Sequence, residues 1–112
     1  MQMGGKAFFL SLLLASPALC VGACIFWSHR YSQAFDAIQV GDTRDTVVRS
    51  FGPPSQVEHP DVLFPRYATR RCQDPCVERL WFENRLTLDT EAWSIELDKD
   101  GRVIEKVHWV SP

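Results

Sequence analysis

No run of basic residues occurs in this chain, and its net charge of −2 gives no electrostatic footprint for a nucleic acid. Nor is there a glycine-rich loop of the kind that cradles phosphate. The three histidines, His29, His59 and His108, stand beside no recognisable serine or cysteine nucleophile motif. Carboxylates such as Glu96 and Asp98 fall on what reads as the outward side of a strand, where solvation is their ordinary state. The sequence therefore offers no catalytic constellation and calls for no cofactor or metal. At 112 residues it has room for one domain.

What it does have is a long apolar run. From Ala7 to Trp27 there are 21 residues without a charge, preceded by Lys6 and followed by His29 and Arg30. As a helix these span about 31 Å, close to the hydrocarbon thickness of a bilayer. Trp27 sits where an interfacial aromatic belongs, and Pro17 would kink a membrane helix rather than forbid it. Three readings fit the run. One is an uncleaved signal anchor. Another is a lipoprotein signal, with Val21-Gly22-Ala23-Cys24 as lipobox and Cys24 acylated, although Ile25-Phe26-Trp27 then replaces the usual polar linker. The third is cleavage after Ala18, with Ser16 and Ala18 as the small residues. All three put the remainder outside the cytoplasm. They divide the chain into an anchor or signal segment, residues 1–30, and an extracytoplasmic domain, residues 31–112. Cys20 reads as a small hydrophobe. The domain is left with about eighty residues, a size at which a covalent staple helps a marginal core.

The segment Phe35 to Pro54 organises that domain. Tyr31, Ala34, Phe35 and Ile38 lie on one helical face. Gly41 supplies a turn, Thr43 is an N-cap, and Asp45 in the first turn complements the helix dipole. Val47, Val48 and Phe51 form a second buried face, Gly52 closes that helix, and Pro53-Pro54 forbids its continuation. Gly41-Asp42-Thr43, Val47-Val48 and Phe51-Gly52-Pro53 together resemble the G-x-T…V…(L/F)-G-x-P helix-turn-helix signature of the SmpA/OmlA (BamE-like) family. Ile95 to Val103 is similar to that family's late hairpin. The resemblance implies two helices packed on a small antiparallel sheet, as also in β-lactamase-inhibitory proteins. It further implies a lipoprotein role in outer-membrane assembly. Asp42 stands where relatives carry an apolar residue.

Cys72 and Cys76 flank a Gln-Asp-Pro turn. In an oxidising compartment they read as a disulfide pinning a loop. A redox pair would favour Cys-x-x-Cys at a helix start, and a zinc site would need two more ligands. Strands are expected over Val62–Thr69, with Pro65 at an edge, and over Val77–Glu83, which Arg85–Asp89 either continues or connects. Further strands are expected over Ala92–Asp98 and Arg102–Val110. Alternation puts Leu80, Phe82, Trp93, Ile95, Leu97, Val103, Val107 and Trp109 inward. Arg79, Trp81, Glu83, Ser94, Glu96, Lys106 and His108 then face outward. Asp98-Lys99-Asp100-Gly101 is a hairpin turn, since it lacks the glutamate and length of a calcium loop.

The expected fold is α+β: an N-terminal transmembrane or signal helix, then two short helices on a three- to four-stranded antiparallel sheet. The expected function is that of a membrane-tethered, non-enzymatic accessory or scaffolding protein of the bacterial cell envelope, its body in the periplasm. It would hold the membrane through residues 7–27. A protein partner would dock on the sheet face or at Gly41, Asp42 and Thr43. Trp81, Trp93 and Trp109 either line a partner groove or fill the core. The alternatives are an inner-membrane subunit sharing the fold, an inhibitor-like or ligand-binding module, and a thiol oxidoreductase using Cys72 and Cys76.

Overall fold

The computed structural model describes residues 4–62, 64, 66, 67, 70–84 and 90–111, excepting the side chains of residues 4–18, 20, 90 and 111. Its elements in chain order are α1 (Gly4–Ala37), α2 (Arg44–Phe51), β1 (Gln56–Glu58), β2 (Glu78–Glu83), β3 (Thr90–Leu97) and β4 (Val103–Ser111). Among the described residues this is an α+β arrangement, two helices on a four-stranded antiparallel sheet of order β1-β2-β3-β4.

The first helix is not short. It runs unbroken for 34 residues, through Pro17 and out of the apolar run into the body. Ser28, His29 and Arg30 include no helix breaker, so the face of Tyr31, Ala34, Phe35 and Ile38 is the end of a longer rod. Among the described residues no helix is long and apolar enough to cross a membrane. The side chains of residues 7–18 and 20, most of the apolar run and including Cys20, lie outside that description.

The first strand, Gln56–Glu58, lies in the turn-rich stretch 55–61, which the sequence reads as a loop or a ragged first strand, ahead of the stronger candidate over 62–69. Of the stretch 62–69, residues 63, 65, 68 and 69 are outside the described set, and Val62, Phe64, Arg66 and Tyr67 belong to no strand. Residues 85–89 are outside it too.

Local chemistry sets α2. The Thr43 hydroxyl accepts from the Thr46 amide at 3.2 Å, Asp45 pairs with Arg49 at 3.2 Å, and the Gly52 amide closes onto the Val48 carbonyl at 2.7 Å. Gly52 has φ 92°, a backbone that side chains rarely adopt, which is why glycine stands there. Between the helices, the Gly41 amide donates to the Val103 carbonyl and the Val103 amide to the Asp42 carbonyl, both at 2.8 Å. The turn is thereby stitched to the start of β4.

The core sits between the helices and one face of the sheet. Tyr31, Ala34, Ile38, Val47 and Phe51 meet Leu80, Phe82, Trp93, Ile95, Leu97 and Val103 there. Phe51 stacks on Phe82 at 4.3 Å between ring centres, and Tyr31 leans on Trp93 at 5.1 Å. Full burial of a ring such as Phe51 contributes about 1.5–3 kcal/mol. Trp93, Ile95, Leu97, Leu80, Phe82 and Val103 face inward as expected.

Val107 and Trp109 do not. Glu96 pairs with Glu105 but Leu97 pairs with Val103, so one extra residue is accommodated in β4 as a bulge. A one-residue slip exchanges the two faces of everything beyond it. Lys106 and His108 therefore turn toward α1: the Lys106 ammonium donates to the Phe35 carbonyl at 2.6 Å, and the His108 ring stacks on Trp93 at 4.8 Å. Trp109 turns to the opposite face, where its indole donates to the Ser94 hydroxyl at 2.8 Å.

Candidate functional site

The sheet face away from the helices is covered rather than open to water. Residues of the β1–β2 connection fold over it, and the charged residues expected outward become a second, polar layer. Glu58 and Arg79, 2% and 1% exposed, pair at 2.7 Å. The Glu58 carboxylate also accepts from the Trp81 indole at 3.1 Å and the Phe64 amide at 3.2 Å. Arg79 donates to the Arg70 carbonyl at 2.8 Å and lies 5.2 Å from the centre of the Trp81 ring. Tyr67 stacks on Trp81 at 5.5 Å and donates to Glu83 at 2.6 Å. No buried side-chain polar atom among the described residues lacks a partner. Burial pushes the Glu58 carboxyl upward, but the hydrogen bonds from Arg79, Trp81 and Phe64 outweigh it and hold the group below its ordinary value.

Beside this layer, near the C-terminal end of β3, is a cavity of about 300 Å³ lined by Arg70, Arg71, Gln73, Glu96, Ile104 and Glu105, among others. Glu96 is buried, not solvated. Burial raises its carboxyl to about 7, helped by its hydrogen bond with Glu105 and that residue's charge, and opposed by Arg79 and Arg70. The same hydrogen bond lowers Glu105, with Arg70 adding to the effect. Arg70 reaches both carboxylates, contacting Glu105 directly and Glu96 at 3.8 Å. The arrangement lets two carboxyls share a proton under a guanidinium lid, which fastens the covering segment to β3 and β4.

Cys72 and Cys76 border this cluster, their sulfurs at bonding distance, 2.10 Å, and their Cα atoms 5.3 Å apart. Both are buried, 1% and 2% exposed. The three tryptophans do not form one groove. Trp81 and Trp93 are fully buried on opposite faces of the sheet, and Trp109, 6.0 Å from Trp81, keeps some surface. Gly41 is exposed, while Asp42 and Thr43 are half-buried at the turn. Cys24 lies within α1, where its carbonyl accepts from the Asn84 amide group at 3.2 Å. The Asp98 carboxylate accepts from the Asp100 and Arg102 amides at 2.9 and 3.0 Å, so the hairpin itself occupies that oxygen. Among the described residues no group of three His, Cys, Asp or Glu side chains could hold a metal ion.

Set against protein-family models, curated proteins and solved structures, the chain matches none of them. The two helices on a four-stranded antiparallel sheet are compatible with the expected α+β fold.

Sequence reasoning missed Glu58, Arg79, Arg70 and Glu105 as a group. Alternation assigns the outward side of a strand but is silent on whether something later covers it. One signal was available: Phe64 and Tyr67 flank Pro65, which a sheet admits only at its edge, and large aromatic rings there need an apolar place to lie.

Proposed function

We propose that this protein is a membrane-tethered, non-enzymatic accessory protein of the bacterial cell envelope, its body outside the cytoplasm and its target another protein. One observation carries the reading. A single helix, α1, includes the uncharged stretch Ala7–Trp27 and goes on to place Tyr31, Ala34 and Ile38 in the core. Its side chains Leu19, Val21, Ile25 and Phe26 are exposed, an apolar surface that a bilayer would cover. The pairing of Cys72 with Cys76 across a short turn suits an oxidising compartment, and burial of both residues supports a structural bond. The helix-turn-helix resemblance supports a place in envelope protein assembly, akin to the SmpA/OmlA family.

The turn at Val40 to Thr43 stands at the end of α1 remote from the apolar run. Val40 is 70% exposed there, and we assign this tip to the partner. Alkaline carbonate extraction of membranes tests the tether, together with protease treatment of spheroplasts. The chain is expected in the pellet with its body cleaved from outside. Release into the supernatant, or free thiols at Cys72 and Cys76, would overturn the reading. In detergent pull-downs, Val40→Glu should lose the partner that the parent chain retains.

A further inference from the structure

The apolar run and the body share one helix, and they overlap. The run extends to Trp27, yet the body already touches α1 at Cys24, through Asn84, and at Ser28, whose hydroxyl donates to Glu91 at 2.9 Å. Trp27 itself packs against the core. Were residues 7–27 to fill about 31 Å of hydrocarbon, Cys24 to Trp27 would occupy its outermost 6 Å or so. Whatever touches those residues then lies at the headgroup layer.

We propose that the end of the body formed by Asn84, Glu91 and Val110 rests on the bilayer surface, so that the body is seated on the membrane rather than hung from it. This rests on the tether reading above. Among the described residues, the surface chemistry at that end suits a lipid headgroup region. Ile25 and Phe26 are 63% and 59% exposed on α1, and Val110, opposite Glu91 in the β3–β4 pairing, is 63% exposed. The Arg30 guanidinium lies 5.1 Å from the centre of the Trp27 ring, an aromatic and a cation together where the hydrocarbon would give way to phosphate. Glu91, a described acid at this end, is occupied by Ser28 and by His108 at 3.1 Å. The rod enters the core without a linker, so the seat has one orientation. The hairpin turn at Lys99 and the tip at Val40 then face away from the lipid.

The test uses the full chain, with Cys20→Ala and Cys24→Ala, reconstituted in phosphatidylcholine vesicles that include a lipid spin-labelled on its headgroup. An environment-sensitive fluorophore is attached at Val110→Cys in one protein and Lys99→Cys in another; both parent side chains are exposed, so neither change disturbs the core. Quenching is expected to be several-fold stronger at residue 110 than at residue 99. Equal quenching on vesicle-bound protein would overturn the seated orientation while leaving the tether intact. Failure of the chain to float with the vesicles would overturn both.

Discussion

Glu96 and Glu58 are both buried carboxyls on one face of one sheet, and their surroundings drive them in opposite directions. Glu96, raised from 4.5 to about 7, is favoured in its protonated form by the folded state. Its contribution to stability is complete below about pH 4.5 and is lost as the pH rises through about 7. Glu58 and Glu105, both lowered, contribute above the ordinary carboxylate range and lose that contribution as acid protonates them. In thermal melts followed by circular dichroism, Glu96→Gln should abolish the decline between pH 4.5 and 7 and leave the acid limb in place. Arg79 is the more costly residue to remove. Arg79→Met would leave Glu58 charged, buried and unpaired, at a cost of about 3–5 kcal/mol. Adding Glu58→Gln should recover much of that in urea denaturation, because the stranded charge is gone.

At the scale of elements, what was legible in the sequence was what is decided locally. Thr43, Asp45, Gly52 and Pro53-Pro54 bracket α2 within a dozen residues, and the structure places its caps there. Alternation likewise sets the inward face of β2 and β3, since neighbours two apart share a side. Two things were beyond local pattern. The bulge opposite Glu96 and Leu97 depends on how β4 meets its partner, and no residue in Arg102 to Val110 announces it. Covering of the second face depends on a connection that folds back across strands formed before and after it. The cysteine pair belongs to this same covering. Replacing both cysteines by serine should cost about 2 kcal/mol, as the chain-entropy account gives for so short a loop. Chemical denaturation of the full chain in mild detergent measures it, and an unchanged midpoint would show that the segment's other contacts, those of Phe64, Tyr67 and Arg70 among them, secure it without the bond.

The whole molecule is a rod joined to a body. Its Cα extents of 68 × 26 × 19 Å are those of an elongated particle, and α1 supplies the long axis. An unbroken helix predicts a penalty that a hinged connection would not show. Arg30→Pro, at an exposed position, would remove a helical hydrogen bond and clash with the preceding turn, costing about 3 kcal/mol. Detergent-solubilised protein compared by denaturation would reveal it, and no loss of stability would mean that the rod is jointed at that point. The stitching of the inter-helix turn to Val103 bears on how the molecule comes into being. The Gly41 amide and the Asp42 carbonyl find their partner about sixty residues downstream, in Val103, and the Arg44 amide finds its own in the Gly101 carbonyl. Until Gly101 and Val103 are made, both helices can coil but neither can be locked to the other through this clasp. The growing protein therefore stays unfastened there until Val103 emerges, and a chain cut short before that residue would lack its buckle.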